Sequence, residues 1–273
     1  MKLQINNEEI RIRPSAVESF YGCAWQWAAH FLHGESSIPN SRAAIGTGIH
    51  AGIETIWQEC MQTGDKSKFS LSAAQDAAVE AFKEEEQKGM AYDNGEDHNS
   101  CVAEIVKGTD TFIEDIQPFA KIPEKVEEFY TVPLDHQLVS EIGGTVDYIG
   151  HGTIADVKTS KRKPTVSSYT VQQSIYKFLA ESNGIDVKSN LIHGIVLKKA
   201  PEGMILPLEP NVEHAKNLVN GLLDTLDVVV QDVVPLETLL RPNPKYTFCS
   251  QKYCKFFGKC PGTRAMQPTT VYL

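Results

Sequence analysis

The sequence predicts an α/β fold, in which a mixed sheet is flanked by helices and preceded by an N-terminal helical part. Three observations support this class. Apolar residues recur at helical spacing through much of residues 1–120. Strand-like segments alternate with helical ones between residues 126 and 232. Residues 241–273 show no periodicity and are rich in Pro, Gly, Cys and aromatic residues, so we expect an irregular tail.

The N-terminal part is predicted to be helical. In Pro14-Ser15-Ala16-Val17-Glu18, Ser15 is predicted to be the N-cap and Glu18 to complete a capping box. Four helices are predicted, over residues 15–32, 44–62, 71–88 and about 100–117. The polar segment between the last two, residues 89–99, is expected to be a mobile loop.

Strands dominate the middle of the sequence. Four strand-like segments form a predicted meander, over residues 126–134, 138–142, 145–149 and 153–158. A helix, two strands and a long amphipathic helix follow, over residues 167–181, 191–197, 204–208 and 211–232. We therefore expect one core over residues 1–240, helical to about residue 120 and sheet-based over 121–240, followed by the tail over 241–273.

The length and hydropathy indicate the class of protein. A chain of 273 residues can bury a full core. No apolar run approaches the roughly 20 residues that span a bilayer, and the N-terminus lacks the long apolar segment of a secretion signal. We therefore expect a cytoplasmic protein with no membrane partner, whose thiols are reduced.

The charge distribution is uneven. The net charge of −9 argues mildly against nucleic acid as a partner. Two basic clusters argue for it, because a polyanion could dock on them. One is the acid-free stretch with Arg241, Lys245, Lys252, Lys255, Lys259 and Arg264; the other contains Lys158, Lys161, Arg162 and Lys163. An ordinary solvated surface is the alternative for both clusters.

Residues 145–158, TVDYIGHGTIADVK, form the most informative stretch. They are typical of two strands around a Gly-His-Gly turn. Because side chains alternate along a strand, Asp156 and Lys158 share one face, and Asp147 on the preceding strand could lie beside them. Two carboxylates and one ammonium suit a hard divalent cation and a phosphodiester substrate. An isolated Asp-x-Lys is otherwise usually a solvated ion pair, worth roughly 0–1 kcal/mol.

Three cysteines crowd the tail in the pattern Cys-x4-Cys-x5-Cys: Cys249, Cys254 and Cys260. A short irregular segment buries little core, so a metal or cluster is a natural stabiliser. Cys23 is the best candidate for a fourth ligand, because it lies among aromatic residues on the first predicted helix.

The cysteines alone do not distinguish a zinc ion from an iron–sulfur cluster. Four thiolates suit Zn²⁺ or an iron–sulfur cluster. The chain lacks the paired Cys-x2-Cys pattern of zinc ribbons, so a [4Fe–4S] cluster fits better. Buried free thiols are the alternative, and they are the expected state of Cys60 and Cys101.

Together these residues resemble the RecB-type exonucleases of the PD-(D/E)xK nuclease superfamily, in an iron–sulfur branch similar to the CRISPR-associated ssDNA exonuclease and the AddB nuclease domain. Six parts of the chain carry the resemblance in the family's order: residues 15–32, GTGIH (46–50), GTVDYI (144–149), IADVKT (154–159), QQSIY (172–176) and the tail cysteines. Two features depart from the pattern. Valine precedes Asp147 where proline is common, and Cys-x4-Cys is wider than the usual Cys-x2-Cys.

The resemblance implies a restriction-endonuclease-like core and a metal-dependent DNA exonuclease. Asp147, Asp156 and the backbone carbonyl of Val157 would bind Mg²⁺ or Mn²⁺. His50 would be a further ligand, although a hydrogen-bonded core histidine is the alternative. Lys158 would polarise the attacking water or hold the phosphate.

The resemblance also implies contacts with nucleic acid. Gln172 and Tyr176, four residues apart on one helix, would line its path near the active site, with ordinary surface residues as the alternative. Lys161 and Arg162 are the basic residues next to that site. The expected substrate is single-stranded DNA or DNA ends, in recombination, repair, phage DNA processing or CRISPR adaptation. The cluster would hold the tail to the N-terminal helix.

Two other hypotheses remain compatible with the sequence. The first is a nuclease-fold protein that binds DNA or a partner without cleaving it, although the acidic pair with Lys158 argues against this. The second is a zinc-stabilised accessory to a larger recombinase. No helicase motif is present, so unwinding would need a helicase or another DNA-processing partner, and oligomerisation stays open.

Overall fold

The computed structural model describes residues 4–5, 8–31, 39–230, 240–246, 249–251, 254 and 256–263. These residues belong to two compact units. The first draws on Met1–Ser37, Thr131–Gly143 and Val212–Leu273, and the second on Ile38–Tyr130 and Gly144–Asn211. The expected boundary at residue 240 adjoins residues 231–239, which lie outside the described residues, and it stays a prediction.

A mixed sheet forms the centre of the second unit. Strands β3 to β7 run over Lys125–Pro133, Val139–Gly150, Thr153–Ser160, Ser189–Val196 and Glu202–Leu208, and the end of β3 and the start of β4 belong to the first unit. The strand order is β4-β5-β6-β7, and β3 also pairs with β4. Strands β5 and β6 are parallel, whereas β4 with β5 and β6 with β7 are antiparallel. The predicted mixed α/β class is therefore confirmed.

Strand β4 merges two predicted strands, 138–142 and 145–149, into one. The turn into β5 is the expected one: His151 and Gly152 have φ angles of 54° and 75°. Both angles lie in the left-handed region, which suits a tight hairpin turn. The hairpin places Tyr148 opposite Ala155, so the strand that carries Asp147 runs beside the strand that carries Asp156.

Helices pack on this sheet. In the second unit they are α3 to α6, over Ser41–Thr63, Leu71–Gln87, His98–Thr111 and Thr170–Ser182. A π-helical turn, Phe112–Ile116, extends α5, and a 3₁₀ turn, Val166–Tyr169, precedes α6. Asn40, Ser70 and Asp97 are N-caps whose side chains accept a backbone hydrogen bond. Trp57 packs edge-on against Phe112, with ring centroids 5.7 Å apart, in the core between the helices and the sheet.

The segment predicted to be a mobile loop, residues 89–99, is tied to the start of α3. The backbone N–H of Ala91 donates to Pro39 (2.9 Å), and the N–H of Ser41 donates to Ala91 (2.9 Å). Glu96 accepts hydrogen bonds from Ser41 and Arg42. The segment is therefore held by backbone hydrogen bonds and by the carboxylate of Glu96. A search for apolar periodicity does not detect such contacts.

Among its described residues, the first unit contains the end of β3, the start of β4, three helices and two short strands that the sequence analysis missed. The strands are β1 (Gln4–Ile5) and β2 (Glu8–Ile12); the helices are α1 (Pro14–Gly22), α2 (Ala24–Phe31) and α7 (Val212–Val230). Strand β2 pairs in parallel with the start of β4. The hydroxyl of Tyr21 donates to the carbonyl of Leu218 (2.7 Å), which fixes α1 against α7.

Two predictions about the first helix are wrong. The N-cap is Arg13 rather than Ser15, because Pro14 occupies the first helical turn, where its missing N–H costs nothing. The single helix over 15–32 is two helices, because Cys23 has an extended backbone (φ −156°, ψ 94°). Among the described residues, no helix is both long and apolar enough to cross a membrane.

Candidate active site

Three side chains of the second unit form a group that could hold a metal ion: His50 on α3, Glu127 on β3 and Asp147 on β4. Their ligand atoms all lie within 4.8 Å of one another. His50 Nδ1 lies 3.5 Å from Asp147 Oδ2 and 3.8 Å from Glu127 Oε1. One imidazole nitrogen and two carboxylates therefore converge on one point.

A close approach between α3 and β5 brings His50 to this point. Gly46 lies so close to β5 that a Cβ atom there would be 3.0 Å from Thr159 Oγ1. One turn later, His50 Nε2 lies 3.0 Å from the carbonyl oxygen of Val157. This contact assigns the proton to Nε2 and turns Nδ1 toward the carboxylates, as is usual for histidines that bind metals.

The backbone of Val157 also holds Asp147. Its N–H donates to Asp147 Oδ2 at 2.7 Å. The resemblance implied that the Val157 carbonyl binds metal, and this stays a prediction; in the structure the same oxygen lies 3.0 Å from His50 Nε2. Val157 therefore orients two candidate ligands with its two backbone groups.

Glu127 is the candidate ligand that the sequence analysis missed. Its backbone has a φ of 49°, in the left-handed region that residues other than glycine rarely adopt. Such strain persists only where the surrounding structure enforces it, and it is enriched at functional sites. No motif surrounds Glu127; an acid within the predicted strand 126–134 was the one available signal.

Asp156 and Lys158 lie beside this group on β5. Asp156 is 2% exposed, and its Oδ2 lies 2.7 Å from Lys158 Nζ. Lys158 Nζ also lies 5.5 Å from the centroid of the Tyr169 ring, a cation–π contact that the sequence analysis did not anticipate. The predicted pair of acids and the lysine are thus brought together.

The acids create a strongly negative environment. Burial alone would lower the pKa of His50, but the charges of Asp147, Glu127 and Asp156 outweigh it and raise this pKa to about 9. Burial raises the pKa of Asp147, and the neighbouring carboxylates add to that effect. A site that favours a proton on imidazole so strongly also favours a divalent cation.

Of the residues predicted to contact nucleic acid, Gln172 and Tyr176 are buried. Both lie on α6 and are 8% exposed, and Gln172 Nε2 donates to the Tyr176 hydroxyl at 3.3 Å. Burial, and then the charges of Asp156 and Asp147, raise the pKa of Tyr176. Its hydroxyl therefore lies within the field of the two acids.

Lys161 and Arg162 follow β5 and are exposed. Lys161 Nζ lies 3.0 Å from Glu96 Oε1, in an ion pair. Of the predicted tail cluster, Arg241, Lys245 and Lys259 are described, whereas Lys252, Lys255 and Arg264 lie outside the described residues.

The predicted thiol ligands all belong to the first unit. Cys23, Cys254 and Cys260 are buried, and Cys249 is partly buried. Burial raises the pKa of Cys249, and the charges of the other three thiols raise it further, so the four lie near one another. All six cysteines of the chain lie in its described part, and none forms a disulfide.

Contacts beside Cys23 fix the tail to α1. The backbone N–H of Asn243 points to Cys23 Sγ at 3.5 Å, and its side-chain amide donates to the carbonyl of Gly22 at 2.9 Å. Tyr246 packs on Gly22, where a Cβ atom would lie 2.2 Å from the ring. Glycine is therefore needed at the end of α1. Cys60 and Cys101 are fully buried in the core of the second unit.

No protein-family model matches the chain, and no curated protein matches it. Solved structures do. A protein from Eubacterium rectale named "putative exonuclease" is 13% identical, and the match covers 86% of this chain and 88% of that chain with a TM-score of 0.60. A second structure, SSO0001, is 13% identical and covers 90% of this chain and 97% of that chain with a TM-score of 0.34. The chain therefore shares the α/β fold of the Eubacterium rectale protein.

Proposed function

We propose that this protein is a metal-dependent DNA exonuclease. The observation that carries the proposal is the convergence of His50, Glu127 and Asp147 beside the ion pair of Asp156 and Lys158. A cation-binding group next to a partly buried lysine is the arrangement expected for phosphodiester hydrolysis. The fold shared with the Eubacterium rectale protein is consistent with this activity.

The donor set suits Mn²⁺, with Mg²⁺ as the second candidate. Carboxylates suit both ions, but imidazole is a softer ligand than Mg²⁺ prefers. His50 Nδ1, Glu127 and Asp147 would hold the ion. Asp156 adds negative charge next to them, since it contributes to the raised pKa of His50. A bound divalent ion lowers the pKa of a water ligand and neutralises charge on a phosphate.

Lys158 is placed to act on the phosphate. Burial would lower its pKa, but Asp156 and Asp147 outweigh that effect and raise it. The ammonium therefore stays charged at neutral pH and can hydrogen-bond to an oxygen that gains negative charge in the transition state. Asp156 holds the ammonium at 2.7 Å, which limits its rotamers.

The tail carries a second proposed centre. We infer that Cys23, Cys249, Cys254 and Cys260 bind a [4Fe–4S] cluster that stabilises the first unit. Their proximity supports a four-thiolate site. The chain lacks the paired Cys-x2-Cys pattern of zinc ribbons, which favours the cluster over zinc.

A cleavage assay tests the proposed function. End-labelled single- and double-stranded DNA are incubated with the protein in Mn²⁺, Mg²⁺ or EDTA. We expect shortening from the ends with a divalent ion, faster on single strands, and none in EDTA. The absence of cleavage under all conditions, with DNA binding retained, would favour the alternative of a non-cleaving DNA-binding protein. An Asp156→Asn variant that binds but does not cleave separates the two.

A further inference from the structure

We propose that the carboxyl ends of β5 and β6 form one surface that binds the phosphates of the nucleic-acid strand leading to the metal site. This inference rests on the proposed function and adds a path for the substrate. The surface, which we call the basic edge, consists of Lys161, Arg162, Lys163, Lys198 and Lys199. Only the first three belong to a basic cluster that the sequence analysis identified.

The parallel pairing of β5 and β6 brings the two parts of the basic edge together. Ser160, the last residue of β5, pairs with Val196, the last residue of β6. The N–H of Leu197 then donates to the carbonyl of Ser160 at 2.7 Å. Since both strands end at the same edge of the sheet, residues 161–163 and 198–199 leave it side by side.

The basic edge is exposed and mainly positive. All five residues are exposed. Two carboxylates lie against them: Glu202 contacts Lys163 and Lys198 at 2.7 and 2.6 Å, and Glu96 contacts Lys161 at 3.0 Å. Hydrogen bonds from Lys163 and Lys198 lower the pKa of Glu202 to about 2. Five cations thus face two carboxylates on a chain whose net charge is −9.

These ion pairs are exchangeable. The pairs with Glu202 are solvent-exposed and screened, so phosphate oxygens can replace this carboxylate without a large cost. The side chain of Glu96 is 9% exposed and is also bonded by Ser41 and Arg42, so this acid stays paired when Lys161 leaves it. Arg162 and Lys199 make no ion pair with any described residue. Arg162 and Lys199 are therefore available to a phosphate backbone. Lys161, Lys163 and Lys198 can exchange their carboxylate partners for phosphates.

The basic edge lies next to the candidate active site. Lys161 follows Lys158 by three residues, which in extended chain is about 10 Å. Successive phosphates of a stacked strand are separated by about 3.4 Å along the axis. A strand with its scissile phosphate at Lys158 would therefore place neighbouring phosphates on the basic edge. This proximity identifies the partner as nucleic acid.

The test measures binding without catalysis. The anisotropy of a fluorescein-labelled single-stranded oligonucleotide is followed in EDTA over a range of NaCl concentrations. We expect Lys198→Glu/Lys199→Glu to weaken binding at least about tenfold and to reduce the log–log salt slope by about 0.7 for each phosphate that the protein no longer neutralises. Glu202→Gln removes the competing carboxylate, so we expect it to tighten binding, a gain that misfolding cannot imitate.

The control is Lys188→Glu, which changes an exposed lysine just before the opposite end of β6 and should leave affinity unchanged. Unchanged affinity and salt slope in Lys198→Glu/Lys199→Glu, with a normal melting temperature, would overturn the inference. Because binding is measured in EDTA, it does not depend on hydrolysis. Failure of the proposed function would instead appear as no divalent-ion-dependent cleavage by the unaltered protein.

Discussion

His50 Nε2 lies 3.0 Å from the carbonyl oxygen of Val157. This contact leaves Nδ1 as the nitrogen that faces Asp147 and Glu127. The imidazole is thus oriented by the same strand, β5, that carries Asp156 and Lys158. The two carboxylates of the candidate metal site lie on β3 and β4, and the position of the imidazole depends on how closely α3 packs on β5.

Loss of His50 should weaken metal binding. We expect His50→Ala to reduce Mn²⁺ affinity at least about tenfold, because removing a group that merely orients a metal ligand already costs about 10- to 100-fold. Affinity is measured by isothermal titration calorimetry. Glu127→Gln should have a similar effect, while His151→Ala, in the exposed hairpin turn, is the control. Equal affinity in all variants would place the metal elsewhere.

Loss of Lys158 should impair turnover more than metal binding. We expect Lys158→Ala to lower kcat by about 100- to 1000-fold, as does removal of other groups that stabilise transition-state charge. Asp147→Ala should abolish divalent-ion-dependent cleavage. Activity is measured on end-labelled DNA, and circular dichroism checks the fold. Normal cleavage by either variant would contradict the assignment of the site.

Tyr169 should position Lys158 through its aromatic face, since the ring centroid lies 5.5 Å from the ammonium. A cation–π contact is worth about 0.5–2 kcal/mol, so Tyr169→Leu should lower kcat by about 2- to 30-fold. Tyr169→Phe keeps the ring and should restore kcat. If Phe and Leu are equally impaired, the hydroxyl of Tyr169 matters and the cation–π explanation fails.

Loss of Cys23 should remove the proposed cluster. We expect Cys23→Ser, like Cys254→Ser, to lower the iron content and the absorption at about 400 nm of anaerobically purified protein. The melting temperature should fall by about 2–4 °C for each kcal/mol lost. Cys60→Ser, a buried thiol outside the proposed site, is the control. A colourless wild-type protein that contains zinc would favour the zinc-stabilised alternative.

His193 should make the protein sensitive to acid. It is 1% exposed and lies against the Tyr148 ring, with centroids 5.7 Å apart, and neither ring nitrogen has a hydrogen-bond partner among the described residues. Burial lowers its pKa from 6.5 to about 4. Because the unfolded chain binds the proton more readily, stability should be complete above pH 6.5 and fall as the pH drops toward 4.

The expected size of this loss is about 3 kcal/mol, since each unit of pKa difference corresponds to about 1.4 kcal/mol. We expect His193→Phe, which keeps an aromatic ring beside Phe112 and Tyr148, to lose less stability between pH 6.5 and 4 than the wild type. Urea denaturation at several pH values measures the difference. Parallel pH profiles for the two proteins would show that the pKa of His193 does not differ between the folded and unfolded states.

The sequence identified those site residues that lie in local patterns. Asp147, Asp156 and Lys158 flank one hairpin, so strand alternation alone places them near one another. The roles of Glu127 and Tyr169 could not be predicted, because they depend on tertiary structure. Glu127 has a backbone angle that its residue type does not indicate. Tyr169 contacts Lys158 because a 3₁₀ turn packs over β5.

The fold class was predictable for a similar reason. Long periodic segments such as α3 and α4 appear within a few residues of their predicted bounds. Strands β1 and β2 are short and polar, so pairing with other strands defines them rather than their own composition. The break at Cys23 is likewise invisible to apolar spacing, which continues through it.

Val157, the middle residue of the Asp-x-Lys motif, has a structural role of its own. Its side chain is 3% exposed and belongs to the hydrophobic core, while its N–H holds Asp147 and its C=O holds His50. The packing of an apolar side chain therefore helps to fix the positions of two candidate ligands. A substitution that changes the volume of residue 157 should shift both of them and alter the geometry of the candidate metal site, with every charged residue left in place.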